Sequence, residues 1–155
     1  MSKAPIVRDV GADAVIDLSV DNLQDNLREQ VRAATGGKGA DAVIDPLGDR
    51  FFAAALRAMA WSGRLVVVGF AAGEIPTMKV NYLMLKNIHV SGLQVSDYRK
   101  RMPERMKECF SDIFSLYEKG QLKPPPTSFR PLDGFAGALE EIRARKAKAR
   151  IVLVP

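Results

Sequence analysis

Histidine and cysteine, which often serve as catalytic bases, nucleophiles or metal ligands, are sparse in this chain of 155 residues. His89 is its single histidine and Cys109 its single cysteine. His89 lies between Ile88 and Val90, a setting typical of a strand residue and not of a catalytic base. One cysteine with one histidine offers no obvious tetrahedral ligand set, and one cysteine forms no internal disulfide. The sequence therefore predicts neither a metal site nor a catalytic triad.

Two aspartates end a repeated heptapeptide, GADAVID, which begins at Gly11 and again at Gly39. In each copy a turn of small residues leads into Ala-Val-Ile, which predicts a strand that ends at Asp17 or Asp45. A carboxylate at a strand end can do acid–base chemistry, but more often it accepts hydrogen bonds from the following turn. We expect this second, structural role.

A glycine motif overlaps the second heptapeptide. Gly37, Gly39 and Ala42 fit the spacing G-x-G-x-x-A, which binds a pyrophosphate where it follows a strand and opens a helix. Here it ends a predicted helix and opens a predicted strand. We interpret it as a helix stop and a turn.

Helices and strands alternate along the chain and must position these residues. Leu23, Leu27 and Val31 give the first predicted helix, at residues 19–38, one apolar face. Ser19 or Asp21 is the expected cap at its start. The other helices are predicted at residues 51–60, 82–86, 103–119 and 133–144, and the strands after the first heptapeptide at residues 41–45, 64–70, 87–95 and 151–154. Residues 61–63 should stop the helix at 51–60, and Asp133 should cap the last helix.

The long predicted helix at residues 103–119 has an apolar side that we expect to be buried. Its members are Met106, Phe110, Ile113, Phe114 and Tyr117. The aliphatic run at residues 64–70 predicts a strand covered on both faces. Together these patterns predict an α/β fold with a mostly parallel sheet and right-handed crossovers. Ligands bind at the carboxyl ends of such strands, which points to the loops 46–49 and 69–73, although their glycines also fit plain turns.

Composition predicts one ordinary globular domain. The chain is 47% hydrophobic and 26% charged, and it is long enough for one core. No stretch approaches the ~20 apolar residues that span a bilayer, and the first residues lack the apolar core of a secretion signal. We expect no membrane partner and a cytoplasmic location, which a single cysteine also suits.

The formal net charge of +5 includes two basic runs, at residues 99–107 and 143–150. Neither run carries interleaved aromatic residues beyond Tyr98, so stacking on nucleic-acid bases has little support and we expect no nucleic-acid partner. Two interpretations of these runs stay open: a solvated face of the protein, or a contact with a cofactor phosphate.

The order of several motifs resembles the NADPH:quinone oxidoreductase branch of the medium-chain dehydrogenase/reductase superfamily, a zinc-type alcohol dehydrogenase-like family. The likeness runs from about Asp9 to the C-terminus. Its motifs are both heptapeptides, DAVIDPLG at residues 41–48, GRLVVVGFAAGEIP at residues 63–76, LKN at residues 85–87, GQLKP at residues 120–124, and Arg145 with IVL at residues 151–153.

The resemblance implies a Rossmann-like, doubly wound, mostly parallel sheet that is incomplete. Residues 1–155 would form a single partial nucleotide-binding domain, in which the heptapeptides begin the third and fourth strands. The first two strands, the glycine fingerprint and the GroES-like catalytic domain of the family are not expected here. In the strand order 3-2-1-4-5-6 this leaves a gap between the heptapeptides. The chain is expected to be a fragment of a longer enzyme.

By position, the resemblance implies six contacts with the nicotinamide half of NADPH. They are Leu47 and Gly48 after the fourth strand, Gly69, Phe70 and Ala71 after the fifth, and Leu93 near the sixth. Arg145 near the C-terminus matches a family arginine that can approach the cofactor. In the family, hydride passes to a quinone or an α,β-unsaturated carbonyl while the protein positions the two rings. Without a fingerprint to hold the pyrophosphate, we expect weak NADPH binding and no appreciable activity from this chain alone.

A homodimer is also implied. In the family the sixth strand, which here begins at Ile88 and ends at Val95, pairs with its copy across a two-fold axis. A second interpretation is a non-catalytic dimerisation or interaction domain that kept the fold and lost the chemistry.

Overall fold

Three parallel strands form the central sheet of the structure, a computed structural model that describes residues 3–155. In chain order the elements are α1 (Ala4–Asp9), α2 (Leu23–Ala34), β1 (Ala40–Asp45), α3 (Asp49–Ala58), β2 (Met59–Val67), α4 (Asn81–Lys86), β3 (His89–Gly92), α5 (Val95–Arg101), α6 (Pro103–Glu118), β4 (Thr127–Pro131), a 3₁₀ turn (Leu132–Gly134), α7 (Phe135–Arg143) and β5 (Arg150–Val154). The sheet order is β1-β2-β3, and both pairings are parallel. The predicted α/β class is confirmed.

Two apolar clusters lie on opposite sides of α3. One packs α3 against the sheet and contains Phe52, Leu56, Met59, Leu65 and Ile88. The other packs α3 against α2 and contains Leu23, Leu27, Ala54 and Ala58. Because α3 contributes to both clusters, it is the most buried helix of the described chain. The apolar face predicted for the first helix is confirmed at Leu23 and Leu27.

The turn between α2 and β1 ends one element and begins the next. The Gly37 N–H donates to the Arg32 carbonyl at 2.7 Å and closes α2. Gly39 has φ +96°, and a β-carbon there would lie 2.8 Å from the Ala58 carbonyl oxygen. The G-x-G-x-x-A spacing is therefore a helix stop and a turn, as predicted, and Gly39 also allows a close backbone contact that was not predicted. The helix begins at Leu23 after Asn22, so neither Ser19 nor Asp21 is its N-cap.

The first heptapeptide, residues 11–17, is not a strand, and its prediction was wrong. Among the described residues β1 pairs only with β2, so this segment has no strand beside it. At one position the Gln30 side chain provides the hydrogen bonds that a neighbouring strand would otherwise make. The Asp17 N–H donates to Gln30 Oε1 at 2.8 Å, and Gln30 Nε2 donates to the Asp17 carbonyl at 3.0 Å. Local pattern predicted the strand, but strand formation needs a partner.

The start of β2 also differs from the prediction. Residues 61–63 do not stop α3, which ends earlier, but form an irregularity inside β2. Ala40 pairs with Met59 and Ala42 with Arg64, so the intervening residues of β2 bulge. Ser62 adopts φ +65° there, and Trp61 is 69% exposed.

The C-terminal part contains a second, two-stranded sheet. β4 and β5 are parallel and pair from Thr127 with Arg150 to Pro131 with Val154. β4 and α5 were not predicted, and β3 is shorter than the predicted strand. Asp133 lies in the 3₁₀ turn, and α7 begins after Gly134 without a side-chain cap.

Helix α6 lies where it was predicted, but its apolar side is exposed. Phe110, Ile113, Phe114 and Tyr117 are all exposed, and Met106 is half-buried. The Phe110 and Phe114 rings stack on each other, 6.5 Å apart. Nothing else in residues 3–155 covers this face, so the prediction of burial was wrong. None of the helices described is long and apolar enough to cross a membrane.

Candidate functional site

The loops that follow β1 and β2 lie side by side at the carboxyl edge of the sheet. The Val68 N–H donates to the Asp45 carbonyl at 2.9 Å, and the Ala71 N–H donates to the Pro46 carbonyl at 3.0 Å. The Ala72 N–H donates to the Leu47 carbonyl at 3.0 Å. These bonds extend the strand pairing beyond β1 and β2, so the two loops form one wall.

Asp45 organises the first of these loops. Its side chain is 5% exposed, and Oδ1 accepts from the N–H groups of Leu47 and Gly48 at 2.9 and 3.0 Å. The carboxylate thus stabilises the turn into α3, which is the structural role predicted for it. Its Oδ2 atom is buried and has no hydrogen-bond partner within the described part of the chain.

Gly48 and Gly69 lie where the two loops approach each other closely. Gly48 has φ +68°, and a β-carbon there would lie 2.8 Å from Phe70 Cδ1 and 3.1 Å from the Glu74 carbonyl oxygen. A β-carbon on Gly69 would lie 3.3 Å from the Pro46 carbonyl oxygen. These glycines let the two loops contact each other directly, and plain turns would not need both.

A cleft of about 920 Å³ opens in front of this wall. Three of the predicted cofactor residues line it: Leu47, Ala71 and Arg145. Arg145 follows α7 with φ +57° and brings a guanidinium group from the C-terminal part of the chain. Arg50 is a second cation in the lining, and its guanidinium carbon lies 5.2 Å from the centroid of the Phe51 ring.

The other four predicted residues lie near the cleft without lining it. Gly48, Gly69 and Phe70 belong to the same two loops, and Phe70 is 43% exposed. Leu93 follows β3, and its N–H donates to the Val67 carbonyl at 2.9 Å. The structure therefore gathers six of the seven residues into two loops and one side wall, and places Leu93 at the end of the neighbouring strand.

The end of the first heptapeptide lines the same cleft, which sequence reasoning missed. Ile16, Asp17, Leu18 and Ser19 all contribute to the lining. Asp17 Oδ1 accepts from Ser19 N–H at 2.9 Å and from Ser19 Oγ at 2.6 Å. The hydroxyl bond, then the backbone bond, holds the pKa of Asp17 below its ordinary value. The Asp-x-Ser spacing signals this turn, although it does not signal the cleft.

Metal ligands are not assembled in the part of the chain that the structure describes. No three histidine, cysteine, aspartate or glutamate side chains lie together in residues 3–155. His89 is exposed at the start of β3, and Cys109 is exposed on α6.

Comparison with known proteins gives consistent matches. The family model described as zinc-binding dehydrogenase matches residues 1–112. A quinone oxidoreductase-like protein 2 homolog of Nematostella vectensis is 33% identical over 152 residues, which is 97% of this chain and 40% of that protein. A quinone oxidoreductase of Pseudomonas aeruginosa is 28% identical over 154 residues, 99% of this chain and 46% of that protein.

Among solved structures, a mycobacterial protein complexed with NADPH has a TM-score of 0.83 at 26% identity. The match covers 99% of this chain and 47% of that chain. The present chain therefore spans less than half the length of these relatives.

Proposed function

Because the chain belongs to the zinc-binding dehydrogenase family and corresponds to the C-terminal part of a quinone oxidoreductase-like medium-chain dehydrogenase/reductase, we propose that it holds the nicotinamide half of an NADPH site. The parent reaction would be reduction of a quinone or an α,β-unsaturated carbonyl. The supporting observation is the cleft at the carboxyl edge of the parallel sheet, which Leu47, Ala71 and Arg145 all line. The chain has the Rossmann-like α/β fold that was expected from the sequence.

The residues present fit such a cofactor. Gly48 and Gly69 bring two loops together without side chains in between, which leaves backbone and small apolar groups for a flat ring to approach. The Asp45 carboxylate fixes the first loop, and the buried Oδ2 atom can accept one further donor. Arg145 offers a guanidinium group to a phosphate. When bound, NADPH would supply a hydride from its nicotinamide ring.

Zinc does not fit this chain, although the family description refers to it. The described residues provide no group of three ligands, and a zinc site needs three or four. We therefore derive no step through a metal.

We further propose that residues 1–155 act as a single partial nucleotide-binding domain that binds NADPH weakly and turns over no quinone by itself. A pyrophosphate is normally held by the amides at a helix N-terminus after a glycine-rich turn. In this chain the only G-x-G-x-x-A spacing ends α2 and opens β1.

NADPH titration with Arg145→Gln tests the proposed site. Loss of one charge-assisted contact should weaken binding about tenfold. Arg143→Gln is the matched control, since it removes an equal charge two residues away, from an exposed arginine at the end of α7. Equal affinities for all three proteins would contradict the site.

A steady-state assay with NADPH and a quinone tests the second part. We expect no turnover above the uncatalysed rate. Turnover at roughly 1 to 10³ per second, the ordinary range for enzymes, would show that the chain is active alone.

A non-catalytic dimerisation domain is the second candidate function. The observation that favours it is the position of β3, which has one neighbour, β2, in the described sheet and therefore a free edge. We propose a homodimer through β3 (His89–Gly92), the shorter strand that the structure has within the predicted range from Ile88 to Val95. The two functions differ in NADPH binding, which a pure dimerisation domain would lack.

A further inference from the structure

A second, smaller pocket lies at the other end of the sheet. It has a volume of about 170 Å³ and is lined by Gly39 before β1, by Met59 at the start of β2, and by Trp61. The cleft of the proposed NADPH site follows the opposite ends of these strands. A six-residue strand such as β1 is about 20 Å long, so the two sites are separate.

Five cationic side chains line this small pocket. They are Arg28 and Arg32 of α2, Lys38 of the following turn, Arg57 of α3 and Lys86 of α4. Three parts of the chain, namely α2 with its following turn, α3 and α4, therefore converge with charges of one sign. Such crowding costs free energy unless anions balance it.

Carboxylates in residues 3–155 balance the cluster only in part. Asp25 lies 2.7 Å from Arg57, and Asp41 lies 2.9 Å from Lys38. Within the described chain neither Arg28 nor Arg32 has a carboxylate within 4 Å. Arg32 Nε donates to the Gly37 carbonyl at 3.1 Å, which leaves its other N–H groups available.

Lys86 is fixed at the base of the pocket by the C-terminal end of α3. Its Nζ donates to the carbonyls of Leu56, Arg57 and Met59 at 3.1, 2.8 and 3.0 Å. Partial burial lowers the pKa of Lys86, and the nearby charges of Arg28, Arg32 and Arg57 lower it further. The ammonium group thus experiences the positive potential of the cluster directly.

We propose that this pocket binds the phosphate or polyphosphate group of a small molecule. Guanidinium groups present paired donors that match phosphate oxygens, and Arg28 and Arg32 are the two that lack a carboxylate. The excess of positive charge favours a multiply charged anion over a single carboxylate. The pocket has room for a phosphate group, and its surroundings are rigid because α2 and α3 share an apolar cluster.

Trp61 provides a direct readout, because it lines the pocket and is the single tryptophan of the chain. We would titrate the full chain with inorganic pyrophosphate at constant ionic strength and follow indole fluorescence. A saturable change is expected, and sodium chloride at equal ionic strength should not reproduce it. Citrate, a carboxylate anion of comparable charge, should act at least tenfold more weakly.

Variants then locate the site. Arg28→Gln with Arg32→Gln should weaken pyrophosphate binding at least tenfold, whereas Arg99→Gln with Lys100→Gln removes the same charge from α5 and should have no effect. Arg28→Gln alone is the second variant, since that side chain makes no hydrogen bond in the described structure and its loss should leave the fold intact. Circular dichroism verifies folding.

Three results would overturn the proposal: a fluorescence change that chloride reproduces, equal affinity for citrate and pyrophosphate, or equal losses in the α2 and α5 variants. The pyrophosphate test is independent of the proposed NADPH site, since Arg145 lines the large cleft and not the small pocket. Arg145→Gln should therefore leave pyrophosphate binding unchanged. A loss of pyrophosphate binding in Arg145→Gln would place the anion in the large cleft instead.

Discussion

Asp17 and Asp45 use their carboxylates in the same way, although one follows an irregular segment and the other a strand. Each accepts two hydrogen bonds from the turn that follows it, from Ser19 in one case and from Leu47 and Gly48 in the other. An aspartate followed by a tight turn is sufficient for this geometry. The predicted role of these residues depended on local sequence alone, and it is confirmed.

Ser19→Ala should raise the pKa of Asp17 toward its ordinary value, because the hydroxyl bond is the main cause of the lowered pKa. A carboxylate with a lowered pKa in the folded state stabilises the fold above its unfolded pKa of about 4, and this contribution is lost as the pH falls. The wild type and the variant should therefore differ in stability at neutral pH and converge in strong acid.

Carbon-13 NMR of the Asp17 carboxyl group during a pH titration measures the shift. Ser96→Ala is the matched control, because this exposed serine makes no side-chain hydrogen bond in residues 3–155. An unchanged Asp17 pKa in Ser19→Ala would contradict the assignment of its cause.

Gly48→Ala should distort the loop beside the proposed NADPH site. The new β-carbon would meet Phe70 and the Glu74 carbonyl. The backbone angles φ +68° and ψ −145° also lie close to a region that essentially only glycine adopts. Gly120→Ala is the control, since Gly120 has φ +69° but open space around it. We expect Gly48→Ala to weaken NADPH binding at least threefold more than Gly120→Ala in a fluorescence titration. Equal effects would contradict the expected distortion of the loop beside the proposed site.

The helix pair α2 and α3 positions both sites of the molecule. α3 begins at the turn held by Asp45 and ends at the carbonyls held by Lys86. Its two apolar faces pack on the sheet and on α2. One packed helix therefore contributes to the surroundings of both sites.

Lys86→Met should destabilise the chain by about 1 to 2 kcal/mol in urea unfolding, because it removes the donor shared by three carbonyls. Lys79→Met, at an exposed position before α4, should change little. The effect should depend on pH. Since the pKa of Lys86 is lowered by folding, the unfolded chain binds the extra proton between the two pKa values, and wild-type stability rises there with pH.

The gap in stability between wild type and Lys86→Met should accordingly widen as the pH approaches about 10. A gap that is constant across this range would show that the lysine contributes packing and no electrostatic coupling.

Helices and strands whose apolar residues recur at regular spacing were predicted well from the sequence. α2, β1, α3 and β5 lie within a few residues of their predicted places, and so does α6. The failures share a physical cause, which is dependence on distant partners. The first heptapeptide lacks a neighbouring strand, the apolar side of α6 lacks a cover in the described chain, and β4 forms only because β5 pairs with it. Sequence near each element cannot report such partners.

The candidate site was also predicted in part and missed in part, for the same physical reason. The loops after β1 and β2 were predicted because ligands bind at the carboxyl ends of parallel strands, and this rule depends only on the order of the strands. The lining by Ile16 and Leu18 was missed, since it depends on where an irregular segment lies against the sheet.

The whole chain exposes an unusually large surface. Its accessible area is 11,568 Å² for 17.0 kDa, whereas a compact monomer of that mass exposes about 7,700 Å². Large apolar side chains contribute on several faces, including Ile44, Met84 and Phe114. Exposed apolar area of this extent favours association.

Sedimentation velocity at micromolar concentration should therefore show at least a dimer. Ser91→Lys places a charge on the free edge of β3 and should shift the population toward monomer by about tenfold in the dissociation constant. Thr127→Lys adds the same charge to β4 and serves as the control. A wild-type monomer at these concentrations would refute the proposed dimer, and equal shifts in both variants would place the interface elsewhere.

The repeated heptapeptide provides an internal reference for local motion. Ala14 and Val15 have the same two residues on either side as Ala42 and Val43. Intrinsic rates of amide hydrogen exchange and random-coil chemical shifts therefore cancel when the copies are compared. One copy pairs with β2, and the other has no strand beside it in the described chain. The ratio of exchange rates at matched amides bonded to β2 then gives the protection of β1 relative to the copy without a neighbouring strand, and no reference peptide is needed.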